Sequence, residues 1–139
     1  VLPTAKEPAE ILVRTLEALE RQTVGAMQII PIVAMEERAG KELNEAKYKM
    51  LYDRFSKSFA GLYFYYHPTN LVGEVVGKSS NAAWGAKEFK KELGKHKDWS
   101  IEKMTISSVD CDVALHPNHL AALTYMFLDD PHRYNKIRQ

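Results

Sequence analysis

A chain of 139 residues with 45% apolar and 27% charged residues has the length and balance of one globular domain, long enough to bury a real core. A net charge of +1 sets up no strong field for nucleic acid or an acidic membrane surface. The single cysteine, Cys111, rules out an internal disulfide and fits a reducing compartment. No apolar run approaches the roughly 20 residues that cross a bilayer, and no signal peptide is visible.

Val1-Leu2-Pro3-Thr4 reads as the end of a strand, with Ala5-Lys6-Glu7 as its exit turn. Pro8 stands at a helix start, where its missing N–H is not needed. Ile11, Leu12, Thr15, Leu16 and Leu19 then recur at helical spacing, opposite Glu10, Arg14, Glu17 and Arg21. The run QIIPIVAM, Gln28 to Met35, predicts a strand buried on both faces. Within it, Pro31 marks a bulge or an unpaired segment.

Glu36 to Gly40 forms the next turn, and an amphipathic helix is expected from about Lys41 to Ser58, with Leu43, Ala46, Met50, Leu51 and Phe55 inward. Glu45 with Lys49 and Asp53 with Lys57 stand one turn apart, favourable by a few tenths of a kcal/mol each. Leu62 to Tyr66 (LYFYY) predicts an aromatic strand, and His67 to Lys78 a loop with Pro68, Gly73 and Gly77. Ser79 or Ser80 is expected to cap a helix facing inward through Ala82, Ala86, Phe89 and Leu93 and ending at Gly94. Lys103 to Val109 reads as a fourth strand. Pro117 opens a helix with Leu120, Leu123 and Phe127 inward, and Pro131 starts another piece carrying Tyr134 and Ile137.

Regular strand–helix alternation predicts an α/β fold in one domain spanning 1–139: a Rossmann-like, mostly parallel sheet with helices on both faces. Ligands bind such sheets beyond the carboxyl ends of the strands. The turns at 3–7, 34–38, 67–81 and 110–116 all fall at strand exits. The opening Val1-Leu2-Pro3, without an initiator methionine, leads us to expect a piece of a longer polypeptide.

The stretch SSVDCDVALHP, residues 107 to 117, carries the chemistry. Alternate residues of an extended chain share a side, so Asp110 and Asp112 can converge on one cation. Carboxylate oxygens suit a hard divalent ion, magnesium or manganese, that keeps positions open for substrate phosphates. An acidic turn at a strand end has the same spacing. A zinc site from Cys111, His116 and His119 is disfavoured, because Cys111 points away from its neighbours and the histidines straddle a helix start. A Cys111 nucleophile with His116 as base lacks a third residue to orient the imidazole. Cys111 reads instead as a small buried residue.

Four motifs in order, PTAKEP, AMEER, HPTNLVGEVVGKSSNAAWG and DCD, resemble the family-two glycosyltransferases, and most of all their processive, membrane-associated subgroup. The resemblance runs through the whole chain. It implies the GT-A fold and transfer of a sugar from a nucleotide-sugar donor, a uridine diphosphate sugar by preference. On this likeness Pro3, Thr4 and Glu7 hold the uracil and ribose, and Glu36 or Glu37 takes the place of a base-contacting aspartate. Lys78 and Asn81 lie along the donor. Asp110 stands beside the ribose, and Asp110 with Asp112 coordinates Mn2+ or Mg2+. Taken alone, Glu7-Pro8 is also a plain helix start, Glu36-Glu37-Arg38 a solvated turn, and GKSSN a capped helix with a solvated lysine. Trp84 reads as helix packing and His67 as a loop residue.

An Asp-x-Asp after a strand also resembles the haloacid-dehalogenase-like phosphohydrolases, whose downstream partners have no room after Asp112. Inverting members of the transferase family need a later carboxylate as general base, and processive ones a Gln-x-x-Arg-Trp motif; neither is found. Asp129-Asp130-Pro131 lies too soon after the acidic pair and reads as a helix break. The expectation is a donor-binding part with little or no transferase activity by itself. The sugar or glycan acceptor and the membrane segments would belong to the longer protein, on the cytoplasmic face of a membrane. The competing reading is a non-catalytic, degenerate module that binds a nucleotide or a protein, with the tyrosine-rich run as a partner surface.

Overall fold

The computed structural model describes residues 1–137. It is an α/β fold built on three parallel strands, β1 (Leu2–Thr4), β2 (Ile32–Glu36) and β3 (Tyr63–His67), in the order β1-β2-β3. The register sets Thr4 opposite Met35 and Glu36 opposite His67, so the strands end level at one edge. The helices are α1 (Ala9–Glu20), α2 (Lys41–Phe55), α3 (Lys78–Leu93) and α4 (His119–Asp129).

Strand alternation sorts the two faces. Val33 and Met35 join Leu12, Leu16, Leu51 and Phe55 in one core beneath α1 and α2. Ile32 and Ala34 face the other way, towards α3. The aromatic strand divides in the same manner: Tyr63 meets Phe89 of α3, with ring centroids 5.2 Å apart, while Phe64 meets Tyr48 of α2 at 4.9 Å. Helices therefore cover both faces. Gly85 lets α3 approach closely, since a Cβ there would stand 2.9 Å from the Cβ of Ala34.

The middle strand starts four residues later than expected. Ala26–Gln28 is a 3-10 turn, and Pro31 falls just ahead of the ladder, where only its carbonyl is used, by Tyr63 N–H at 3.0 Å. The expected fourth strand, Lys103 to Val109, is not a strand of the sheet. Ile101–Lys103 is a 3-10 turn, and the chain then meets the β1 edge at a single residue. Val1 donates to the Ser107 carbonyl at 2.5 Å and accepts from Val109 N–H at 3.0 Å, the pattern of one parallel bridge. The next outward-facing donor along that edge would be the N–H of Pro3, which proline lacks, so the ladder stops.

On α2 the inner stripe is turned from the expected one. Asn44, Lys47, Leu51 and Phe55 are buried, whereas Leu43, Ala46 and Met50 are exposed. Two polar residues with sheet-edge partners have displaced three apolar ones. Glu45 pairs with Lys41 at 3.6 Å. The start of α3 also differs: Gly77 precedes the first turn, and Ser80, three residues on, reaches back to accept from Gly77 N–H at 3.0 Å. Leu120, Leu123 and Phe127 of α4 are only half-buried, because no fourth ladder strand extends the sheet beneath them. Gln22 ties that helix to α1, donating to the carbonyls of Ala18 (3.1 Å) and His116 (2.9 Å) and accepting from Leu120 N–H at 3.0 Å. After Pro131 the described residues form a 3-10 turn, Arg133–Asn135, with Tyr134 and Ile137 exposed. Among the described residues no helix is long and apolar enough to cross a membrane.

Candidate functional site

At the carboxyl edge of the sheet, the exits of β1 and β2, the first turn of α3 and the Asp110–Asp112 segment enclose a cleft of about 340 Å³. Pro3, Thr4, Glu7, Glu36, Lys78, Asn81, Asp110 and Asp112 all line it, together with Ala5, Ile11, Arg38 and Cys111. The exit of β3 contributes only through α3. His67 is the buried last residue of that strand rather than a loop residue, 3.2 Å from Glu74 and edge-on to Trp84.

The β1 exit is held by a hydrogen-bonded network. Thr4 Oγ1 donates to Glu7 Oε2 at 3.0 Å, and Ala5 N–H donates to the same oxygen at 2.6 Å. From beneath, Lys47 Nζ donates to Thr4 Oγ1 at 3.0 Å and to the Ala5 carbonyl at 2.9 Å. Burial alone would raise the Glu7 carboxyl. The backbone N–H groups of Ala5 and Glu7, the Thr4 hydroxyl and the Lys47 charge together outweigh it and hold Glu7 below its ordinary value. Burial lowers the Lys47 ammonium, with the charge of Glu7 acting against it.

Asn81 is a clamp between strands. Its Nδ2 donates to the carbonyls of Thr4 (3.1 Å) and Ala34 (2.7 Å), which fixes the ends of β1 and β2 relative to α3. Its donors are spent on the backbone, so an anion cannot draw on them; Oδ1, an acceptor, has no partner among the described residues. Glu36 is buried, accepts from Arg38 Nε, and has its carbonyl held by Asn44 Nδ2 at 2.9 Å. Lys78 Nζ donates to Asp110 Oδ1 across the mouth of the cleft. That bond raises the Lys78 ammonium above its ordinary value against desolvation, and the nearby charges of Asp110 and Asp112 add to the rise. Asp112 itself makes no hydrogen bond or ion pair among the described residues.

Comparison with known protein families, curated proteins and solved structures finds no match. The cleft is therefore judged on its own chemistry. It gathers four carboxylates (Glu7, Glu36, Asp110, Asp112) and two cations (Arg38, Lys78). Among the described residues no cluster of three or more His, Cys, Asp or Glu side chains is set to hold a metal ion. The extended geometry expected for the acidic pair does not hold: Val113 N–H donates to the Asp110 carbonyl at 3.3 Å, so the segment is a turn, and the two aspartates line the cleft from that turn. Two carboxylates are a donor set that small hard cations accept, with water and phosphate oxygens completing the shell. Lys78 Nζ already occupies Oδ1 of Asp110.

Cys111 belongs to the core, and its carbonyl accepts from Thr15 Oγ1 at 2.6 Å, which anchors the acidic segment on α1. Burial, followed by the charges of Glu7 and Asp112, pushes its thiol up, away from nucleophilic use. Two supporting residues escape a reading of the sequence by apolar pattern. Lys47 is hidden by its charge, although residues 44, 47, 51 and 55 share one helical face. Arg38 looks like part of a solvated turn until its bond to buried Glu36 is seen.

Proposed function

We propose that the chain is the donor-binding part of a glycosyltransferase with a GT-A-like fold, taking a uridine diphosphate sugar with Mn2+ or Mg2+. The reading is carried by one observation: eight residues assigned to a donor site from motifs in four separate stretches line a single cleft at the carboxyl edge of a parallel sheet.

In this reading the β1 exit receives the nucleoside. Glu7, kept ionised by Ala5, Thr4 and Lys47, accepts from ribose hydroxyls or the base edge. Glu36, locked by Arg38, bounds the base on the β2 side. Asp112, unpaired, and Asp110 are the side chains that would hold the divalent ion, and Lys78 is the cation within reach of the diphosphate. When bound, the ion supplies Lewis-acid neutralisation of the charge that develops on the nucleoside diphosphate leaving group. The carboxylates of the cleft are committed to binding and to structure, so the base that deprotonates an acceptor lies outside this set. The acceptor, a sugar or glycan, and any membrane attachment belong to the longer protein on the same reading.

Titration calorimetry with uridine diphosphate glucose in the presence and absence of Mn2+ tests the proposal. Even outer-shell partners of a bound metal are worth about ten- to a hundredfold in affinity. Asp112→Asn is therefore expected to weaken the Mn2+-dependent binding at least about tenfold while leaving thermal stability unchanged. Equal affinity in the variant removes the metal assignment. Absence of binding by the native chain across uridine, guanosine and adenosine diphosphates removes the donor site.

A further inference from the structure

We propose that Lys78 is an exchangeable cation: in the free protein its ammonium holds Asp110 in place of a divalent ion, and it passes to the donor diphosphate when the ion takes the two aspartates. The inference rests on the donor-site reading above and adds to it a coupling between the two ligands.

Three observations carry it. First, both members of the Lys78–Asp110 pair are about half exposed, at 55% and 53% of their side-chain surface. An exposed pair of this kind is weak and easily exchanged. Second, the other cations of the neighbourhood are not free to move in this way. Arg38 is bound to Glu36, whose side chain is 5% exposed, and Lys47 is buried under Thr4 and Ala5. Third, Lys78 is the first residue of α3, and its backbone is pinned by the Ser80–Gly77 bonds, so only the side chain needs to swing.

Charge decides the order of events. A diphosphate entering the cleft meets four carboxylates against Arg38 and Lys78. If Lys78 left Asp110 with nothing in its place, both Asp110 and Asp112 would face the phosphates uncompensated. A divalent ion on the aspartates removes that repulsion and releases the ammonium. The ion alone must compete with Lys78; the ion together with a diphosphate gains it as a partner. Lys78 therefore opposes one ligand and favours the pair.

The test is Lys78→Met against the native chain, with Mn2+ alone followed by the free-ion signal in electron paramagnetic resonance, and uridine diphosphate with Mn2+ followed by calorimetry. Losing an exposed competitor tightens Mn2+ alone by about two- to fivefold. Losing a charged phosphate contact weakens the nucleotide at least about tenfold. Lys78→Arg, which keeps the charge, should stay near the native values on both axes. Mn2+ binding that is equal or weaker in Lys78→Met overturns the exchange while the donor site stands, as does nucleotide binding left unchanged. Failure of the native chain to bind either ligand overturns both.

Discussion

Lys47→Met is the most demanding test of how the β1 exit is built. Lys47 is 1% exposed, and its ammonium makes two hydrogen bonds, to Thr4 Oγ1 and to the Ala5 carbonyl. Hydrogen bonds from a charged donor are worth about 1.5–3 kcal/mol each. Methionine fills similar volume and avoids burying a charge, which offsets part of the loss. Removing one member of a buried charged network typically costs about 3–5 kcal/mol. Glu7 is only half-buried, so water can relieve part of what remains, and we expect a net loss of about 2–3 kcal/mol. For a domain of this size that corresponds to a fall in Tm of roughly 7–12 °C, measured by calorimetry or circular dichroism at pH 7. Lys41→Met, which removes an exposed lysine from the same helix, should change Tm by less than about 2 °C. The pH dependence adds a second reading. The Glu7 carboxyl lies below its ordinary value in the fold, so its contribution is present above the unfolded value of 4.5 and is lost as pH falls through the lower folded value. Part of that lowering comes from Lys47, so the native chain loses more in acid than the variant, and the gap between them narrows as pH falls below 4.5. A Lys47→Met chain as stable as Lys41→Met would refute the reasoning.

A further prediction concerns a group outside the cleft. The hydroxyl of Tyr65 is buried without a partner among the described residues, and burial, with Glu92, Tyr63 and Glu88 adding to it, pushes its ionisation up to about 12. Tyr65→Phe is expected to stabilise the chain by about 1 kcal/mol, because the aromatic packing is kept and an unsatisfied group is removed. A destabilisation of that size in urea unfolding would show that the hydroxyl has a partner.

Periodicity made most of the architecture legible. Alternation of apolar runs with helical stripes required an α/β layering, and Leu12, Leu16, Leu51 and Phe55 entered the core as their spacing demanded. The turns that carry PTAKEP, AMEER and GKSSN could be placed on one edge from the order of elements alone, and DCD joins them although no strand of the sheet precedes it. Three things could not be read in this way. Lys103 to Val109 has the composition of a strand, yet pairing needs a partner edge with donors, and Pro3 withdraws one. The inner face of α2 was assigned by hydrophobicity, but Asn44 and Lys47 are inside because backbone carbonyls at Glu36 and Ala5 need donors there. The burial expected of α4 depended on a sheet extension that does not form.

The sequence by itself determined the class of fold, the edge at which most of the motif residues gather and the residue types available there, because these follow from local spacing and chain order. Tertiary structure alone decided what each of those residues is free to do. It spends the amide hydrogens of Asn81 on two strands, ties Glu36 to Arg38, supports Thr4 and Glu7 from below with Lys47, and leaves Asp112 open beside a lysine resting on Asp110. Those partnerships join groups far apart along the chain, so they arise only once packing has brought the elements together.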